Sequence, residues 1–201
     1  MAEVVTLIGD VVDSGGAPDR RALHRALSAA IAGVNEAFRP LTPLRVTVGD
    51  EFQGAFAALG PALQATLRLR LAMAPYDVRF GLGRGTVTVL SEEPRVEDGP
   101  GWWAARAAIE EVATLQRRAA TRSVRTLFDD PAVNAALLLR DELLAQLGDH
   151  DMSVLSDMIS GMSQEQIAAR LGVSPSAVSQ RVRRASLGVL LRSDELLGGL
   201  A

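Results

Sequence analysis

The most constraining stretch of this chain is residues 162–184, where helix-starting and helix-stopping residues fall at intervals that leave few foldings open. Ser163 stands ahead of a run whose inner face carries Ile167, Ala168 and Leu171, a capping-box-like start. Gly172 suits a tight turn, and Ser174-Pro175 supplies an N-cap followed by proline at the first position of the next helix. With Val178 and Val182 directed inward, the pattern is that of a helix-turn-helix. Ser174, Ser176, Ser179, Gln180 and Arg183 then lie on the outer face near the start of the second helix, where side chains meet base edges, and Arg181 and Arg184 are placed to hold phosphate. Over residues 162–192, five arginines face one glutamate, a local charge of +4 in a chain whose net charge is −3. That asymmetry favours a local DNA contact over non-specific coating of nucleic acid. Packing or protein contact, including contact with RNA polymerase, is the alternative use of such a unit.

Upstream the pattern changes. Residues 4–8 form a β-branched run ended by Gly9-Asp10, residues 18–38 carry the apolar spacing of an amphipathic helix, and residues 44–56 read as a β-hairpin with Asp50 near its tip. A helix at 61–73 follows. Residues 78–83 and 86–90 read as a second strand pair bending around Gly81, Gly83 and Gly85, residues 91–101 as a polar loop, and residues 102–117 as a third helix. The order contains β-α-β-β-α-β, so the expected class is α+β: a ferredoxin-like sandwich followed by an all-α unit. We expect a palm domain over 1–128, a connecting helix over 129–150 and the helix-turn-helix domain over 151–201.

Several chemistries are excluded by composition. There is no cysteine, so disulfides and thiolate metal sites are out, and every one of the 21 basic residues is arginine, which removes lysine catalysis. His24 and His150 have no second ligand at metal spacing. The first residues lack the basic and long apolar regions of a signal peptide, and no apolar run is long enough to span a membrane, so the expected location is the cytoplasm.

Asp10 at the end of the first strand and Asp50 at the hairpin tip come from neighbouring strands in this layout, with Glu51 as a possible third oxygen ligand. Such carboxylates suit Mg²⁺ or Mn²⁺ and, through it, polyphosphate. Glycine–aspartate pairs also serve simply as turns. Trp102 and Trp103 are the two tryptophans, and one of them is placed to stack on a base or to donate its indole N–H, the alternative being that one is core and the other covers an interface; Arg79 and Arg84 flank the glycine-rich bend as candidate phosphate contacts.

Four motifs occur in order: Ile8-Gly9-Asp10, residues 48–54 (Val-Gly-Asp-Glu-Phe-Gln-Gly), residues 79–83 (Arg-Phe-Gly-Leu-Gly), and Gly99-Pro100 leading to Ala105-Arg106. On these the chain resembles the SatD family over roughly residues 4–115. A wider resemblance is to the palm fold of class III nucleotidyl cyclases and diguanylate cyclases. It implies metal binding at Asp10 and Asp50 and, in Arg106, an arginine that stabilises the transition state if the protein is an enzyme; together with the residues read above, the expected site is Asp10, Asp50 and Glu51 for metal and Gly49, Arg79, Trp102 and Arg106 for nucleotide. The chain departs from those enzymes at the asparagine position, which is Trp102, and in having no lysine. The resulting expectation is a DNA-binding homodimeric regulator whose palm binds a nucleotide or another ligand. A metal-dependent nucleotidyl or phosphoryl transferase is the alternative.

Overall fold

The computed structural model describes residues 3–93 and 95–201. Five strands form one sheet: β1 (Val4–Val11), β2 (Thr42–Val48), β3 (Glu51–Phe56), β4 (Val78–Gly85) and β7 (Thr126–Leu127), in the spatial order β2-β3-β1-β4-β7. All neighbours are antiparallel except β4 and β7. With α1 (Arg20–Phe38) and α2 (Leu59–Met73) in the connections, the first four strands have the β-α-β-β-α-β order and central β1 of a ferredoxin-like sandwich. The first strand runs on through Gly9 and Asp10 to Val11, because each of those residues pairs with β4.

Alternation along β1 decides the two faces. Val5, Leu7 and Val11 join Phe52, Phe56 and Phe80 in the core beneath α1 and α2. Ile8 and Ala55 face the other way, onto Trp102, Ala105 and Ile109 of α3 (Pro100–Gln116). Helices therefore cover both faces of the sheet.

Two local expectations are corrected. Residues 78–85 form one unbroken strand, and Gly81 and Gly83 lie in it because helix α3 lies directly on them. A Cβ at Gly81 would sit 2.2 Å from the Ala105 carbonyl oxygen, and one at Gly83 2.3 Å from the Ala105 nitrogen. Alternate glycines thus cut a groove for a helix rather than make a bend. Residues 86–90 also fail to pair with β4. Instead β5 (Thr88–Glu92) pairs with β6 (Arg95–Asp98), within the stretch read as a polar loop, to make a separate ribbon.

The remaining chain is helical: α4 (Pro131–Ala145), α5 (Asp149–Ile159), α6 (Gln164–Leu171), α7 (Pro175–Arg184) and α8 (Leu187–Gly198). Helix α4 buries Leu137 in the palm core and Leu144 in a second core formed by Val154, Leu155, Ile167, Val178, Leu187 and Leu190. Leu67 of α2 also belongs to that second core, so the C-terminal helices are packed onto the palm. Where α8 ends the approach is close. The Gly60 nitrogen donates to the Leu200 carbonyl at 2.9 Å, and a Cβ at Gly60 would lie 2.1 Å from the Gly198 oxygen.

A buried polar network crosses the same region. Asp141 accepts from Arg70 at 2.8 Å and from the backbone nitrogens of Arg125 and Thr126 at 2.7 Å each. Arg140 donates to Thr126 Oγ1 at 2.9 Å and Thr66 Oγ1 at 3.2 Å, and burial pushes its guanidinium below the usual arginine value. Asp194 of α8 is held by Arg68 at 3.1 Å. Buried ions tolerate such a setting only when paired and hydrogen-bonded, so these contacts specify one docking geometry for α4 and α8. Among the described residues no helix is long and apolar enough to cross a membrane.

Candidate functional site

The residues expected around Asp10 do converge, but on one another. Cross-strand register sets Asp10 opposite Arg79, and the guanidinium grips the carboxylate from both sides: Nε to Oδ1 at 2.6 Å and Nη2 to Oδ2 at 2.8 Å. Gln116, at the end of α3, accepts from Arg79 Nη1 at 3.3 Å. Next to this pair the hairpin turns at Gly49, whose φ of 64° is the left-handed conformation that favours glycine. That turn brings Asp50 back onto β1, where its Oδ2 accepts the Val11 N–H at 3.0 Å. Asp50 therefore ties the hairpin tip to the residue following Asp10.

Glu51 is engaged in the same manner. Arg106 on α3 donates to both of its carboxylate oxygens at 2.8 Å. The hydrogen bonds and charge of Arg106 hold the Glu51 carboxyl below the usual glutamate range, and Glu51 in turn raises the Arg106 guanidinium, with smaller contributions from Glu110 and Asp10. The cluster is an interleaved set of two arginines and their carboxylates. Bidentate arginine–carboxylate pairs are the strong form of this contact.

That arrangement bears on Mg²⁺ or Mn²⁺. Both oxygens of Asp10 and both of Glu51 are spent on guanidinium groups, and Asp50 has one oxygen on a backbone amide. Among the described residues no group of three or more His, Asp or Glu side chains is arranged to hold a metal ion. As the side chains stand, a divalent cation entering here would have to compete with Arg79 for Asp10 and with Arg106 for Glu51.

Trp102 requires a correction. Its indole, expected to meet a nucleotide, is 7% exposed and packs between α3 and the sheet, which disfavours stacking on a base, while its buried Nε1 has no hydrogen-bond partner. Trp103, next in sequence, is 62% exposed, and its Nε1 donates to Asp98 at 2.8 Å. The partnership of Arg79 with Gln116 escaped the sequence reading. It joins the start of β4 to the far end of α3, and only tertiary packing brings them together. Arg84 lies over the Phe128 ring at 5.8 Å, away from the carboxylate cluster.

At the other end of the chain, Ser163 accepts the Gln166 N–H while the Gln166 side chain accepts that of Ser163 at 2.7 Å, completing a capping box. Gly172 ends α6 with φ 66°, and Ser174 caps α7 by accepting from the Ala177 nitrogen at 3.2 Å. Val178 is buried and Val182 half-buried, which leaves Ser174, Ser176, Gln180, Arg183 and Arg184 exposed and Ser179 half-exposed. Ser174 and Ser176 bond to each other at 2.9 Å.

The charge on this face is smaller than the local count of +4. Arg181, assigned to phosphate from the sequence, instead donates to Asp151 of α5 at 2.7 Å. Arg170 is paired with Asp157, and Arg192 with Glu195. Arg184 is only loosely associated with Asp151, at 4.0 Å, and stays 73% exposed. Among the described residues Arg183 has no carboxylate partner in these helices. The neutralising acids lie outside residues 162–192, which is why counting within that window missed them.

A model described as the SatD family matches residues 4–198, well beyond the stretch that carries the four motifs. No curated protein matches the sequence. Among solved structures the chain is similar to a bacterial light-regulated adenylyl cyclase, at 13% identity and a TM-score of 0.50, over 70% of this chain and 44% of that one. It is also similar to the catalytic core of a rhodopsin-guanylyl cyclase in complex with ATPalphaS, at 17% identity, TM-score 0.46, 54% of this chain and 71% of that one. A third is a regulator of polyketide synthase expression from Bifidobacterium adolescentis, at 15% identity, TM-score 0.30, 98% of this chain and 86% of that one. At such identity the likeness is one of fold, and the fold is the nucleotidyl-cyclase-like palm.

Proposed function

The chain belongs to the SatD family, and on that premise we propose that it is a DNA-binding regulator in which a cyclase-like palm serves as a ligand-responsive platform. The observation that carries this reading is the outer face of α7. A capped helix follows a left-handed glycine turn, buries Val178, and presents Gln180, Arg183 and Arg184 to solvent together. Gln180 lies mid-helix and Arg183 and Arg184 in its last turn rather than at its start, and Gln and Arg are the side chains that read adenine and guanine edges in the major groove. The modest free charge fits a protein that depends on pairing of two such units for affinity.

The palm's ligand, on this reading, is an anion such as a nucleotide. Its phosphates would compete with Glu51 for Arg106 and with Asp10 for Arg79, and no metal would need to enter. Helix α3 carries Arg106 and touches Arg79 at the start of β4 through Gln116, so exchanging partners there moves charge on an element packed against the sheet. Enzymatic phosphoryl transfer would require freeing the carboxylates from both arginines.

The test is fluorescence anisotropy with DNA selected from a random pool. Arg183→Ala is expected to weaken binding about tenfold and to relax the preference at one position, the effect of losing one base contact. Unchanged affinity and preference would refute the placement of α7. Calorimetric titration with ATP and GTP, with and without Mg²⁺, tests the palm: metal-independent binding lost in Arg106→Ala is expected, and binding that requires Mg²⁺ would overturn the metal-free reading.

A further inference from the structure

Helices α4 and α8 are each buried on one face and apolar on the opposite one. On the buried side lie Leu137 and Leu144 of α4 and Leu187, Leu190 and Leu197 of α8. On the open side the two helices enclose a groove of about 670 Å³ lined by Ala132, Ala136, Val189, Ser193, Leu196 and Leu200 among others. The lining positions of α8 and the segment after it include 189, 193, 196 and 200, and those of α4 include 132 and 136, with exposed Leu139 one turn further along α4. This alternating spacing of four and three is the seam that receives another helix.

We propose that this groove is where a second copy of the chain docks, the α8 of each copy lying against the α4–α8 groove of the other about a two-fold axis. Three observations favour that occupant over a small molecule. First, the apolar side chains along this face are widely exposed: Val189 at 62% and Leu196 at 60% line the groove, and Leu139, at 69%, lies beyond it on α4. With their neighbours they leave on the order of 400 Å² of apolar surface, about half of what one partner buries in a standard interface. A ligand inside the groove would leave Leu139 wet.

Second, the rim is self-complementary. Arg192 and Glu195, one turn apart on α8, pair within the chain at 2.9 Å while remaining 67% and 52% exposed. Across a two-fold axis each can exchange its partner for the equivalent residue of the other copy, which matches charge without a separate partner protein. Third, Ser193 and Ala136 are small where the two helices face the groove, which allows a helix to approach closely. Because α8 begins three residues after α7 ends, pairing through α8 would also set the spacing of the two α7 helices. That use of the dimer rests on the DNA-binding reading, whereas the surface itself does not.

The experiment is sedimentation equilibrium of the full chain between about 1 and 100 μM, a range that brackets dissociation constants typical of modest interfaces. Wild type is expected to dimerise. Leu196→Glu and Leu139→Glu, at exposed positions, should weaken the dimer about 100-fold each while leaving the circular dichroism spectrum unchanged, and the urea midpoint unchanged at concentrations where the wild type is monomeric. Arg192→Glu should weaken it about tenfold, and Arg192→Glu with Glu195→Arg should restore it. A wild type that stays monomeric throughout, or a dimer indifferent to both leucine variants, overturns the proposal. Binding of DNA is scored separately on the same samples: a dimer of this kind that binds no DNA retains this surface and sinks the DNA-binding reading, and a monomer that binds DNA does the reverse.

Discussion

Replacing Gly81 by alanine is a sharp test of how α3 is seated. The added Cβ would lie 2.2 Å from the Ala105 carbonyl oxygen and 2.3 Å from the Ile109 nitrogen, both backbone atoms of a long helix. Ordinary contact needs about 3.5 Å, so α3 must retreat by about 1.3 Å or the strand must bow away by as much. Neither is free to do so. Strand β4 is paired on both sides, with Ile8 opposite Gly81 on β1 and Leu127 opposite it on β7. Helix α3 is anchored by buried Trp102, Ala105 and Ile109. Overpacking of this kind costs about 3 kcal/mol, at the upper end of the usual range because backbone meets backbone. At about 1.4 kcal/mol per factor of ten, the folded-to-unfolded ratio falls roughly 150-fold. Equilibrium urea unfolding, followed by tryptophan fluorescence, measures the loss. Gly33→Ala is the internal control. It sits within α1 with nothing inside 4 Å of its new Cβ, so the same chemical change should stabilise by about 0.5 to 1 kcal/mol through helix propensity. If the two variants shift the midpoint in the same direction, the close seating of α3 on the glycine strand is refuted.

Other outcomes follow from the ion pairs. Asp141→Ala would strand buried Arg70 and the N–H groups of Arg125 and Thr126, and should cost about 3 to 5 kcal/mol in urea unfolding; a loss under about 1 kcal/mol would mean the pair is solvated. Because Arg106 lowers the folded pKa of Glu51, that pair contributes stability above the ordinary glutamate range and loses it as pH falls through the lowered value. Glu51→Gln should therefore flatten the acid limb of a stability–pH profile while leaving its slope near pH 8 alone, and an unchanged acid limb would contradict the pairing. Asp151→Asn should release Arg181 toward phosphate and steepen the salt dependence of DNA binding by about 0.9 in log–log slope; an unchanged slope would place Arg181 away from DNA.

Much of the local architecture was readable from residues alone, because caps and periodicity act over a few positions. Ser163, Gly172 and Ser174-Pro175 set the ends of α6 and α7, Gly49-Asp50 set the hairpin turn, and the spacing of Leu23, Leu27, Ile31 and Val34 set α1. Each of these is a contest between nearby groups that the rest of the protein does not enter. The order of elements through β4 was therefore legible, and with it the sandwich, whereas β6 and β7 were not.

Tertiary structure decided whatever depended on distant partners. Alternate glycines are ambiguous between a bend and a groove until a helix is laid on them, and α3 settles Gly81 and Gly83 as a groove. Adjacent tryptophans are indistinguishable in sequence, yet helix rotation buries Trp102 and exposes Trp103. Charge is additive along a chain but not in space. Asp151 cancels Arg181 and Asp157 cancels Arg170 from a neighbouring helix, while Arg79 and Arg106 occupy the carboxylates that the sequence offered to a metal. Local hydrogen bonding specifies elements, and only the packed fold assigns each charged or aromatic side chain the partner that sets its chemistry.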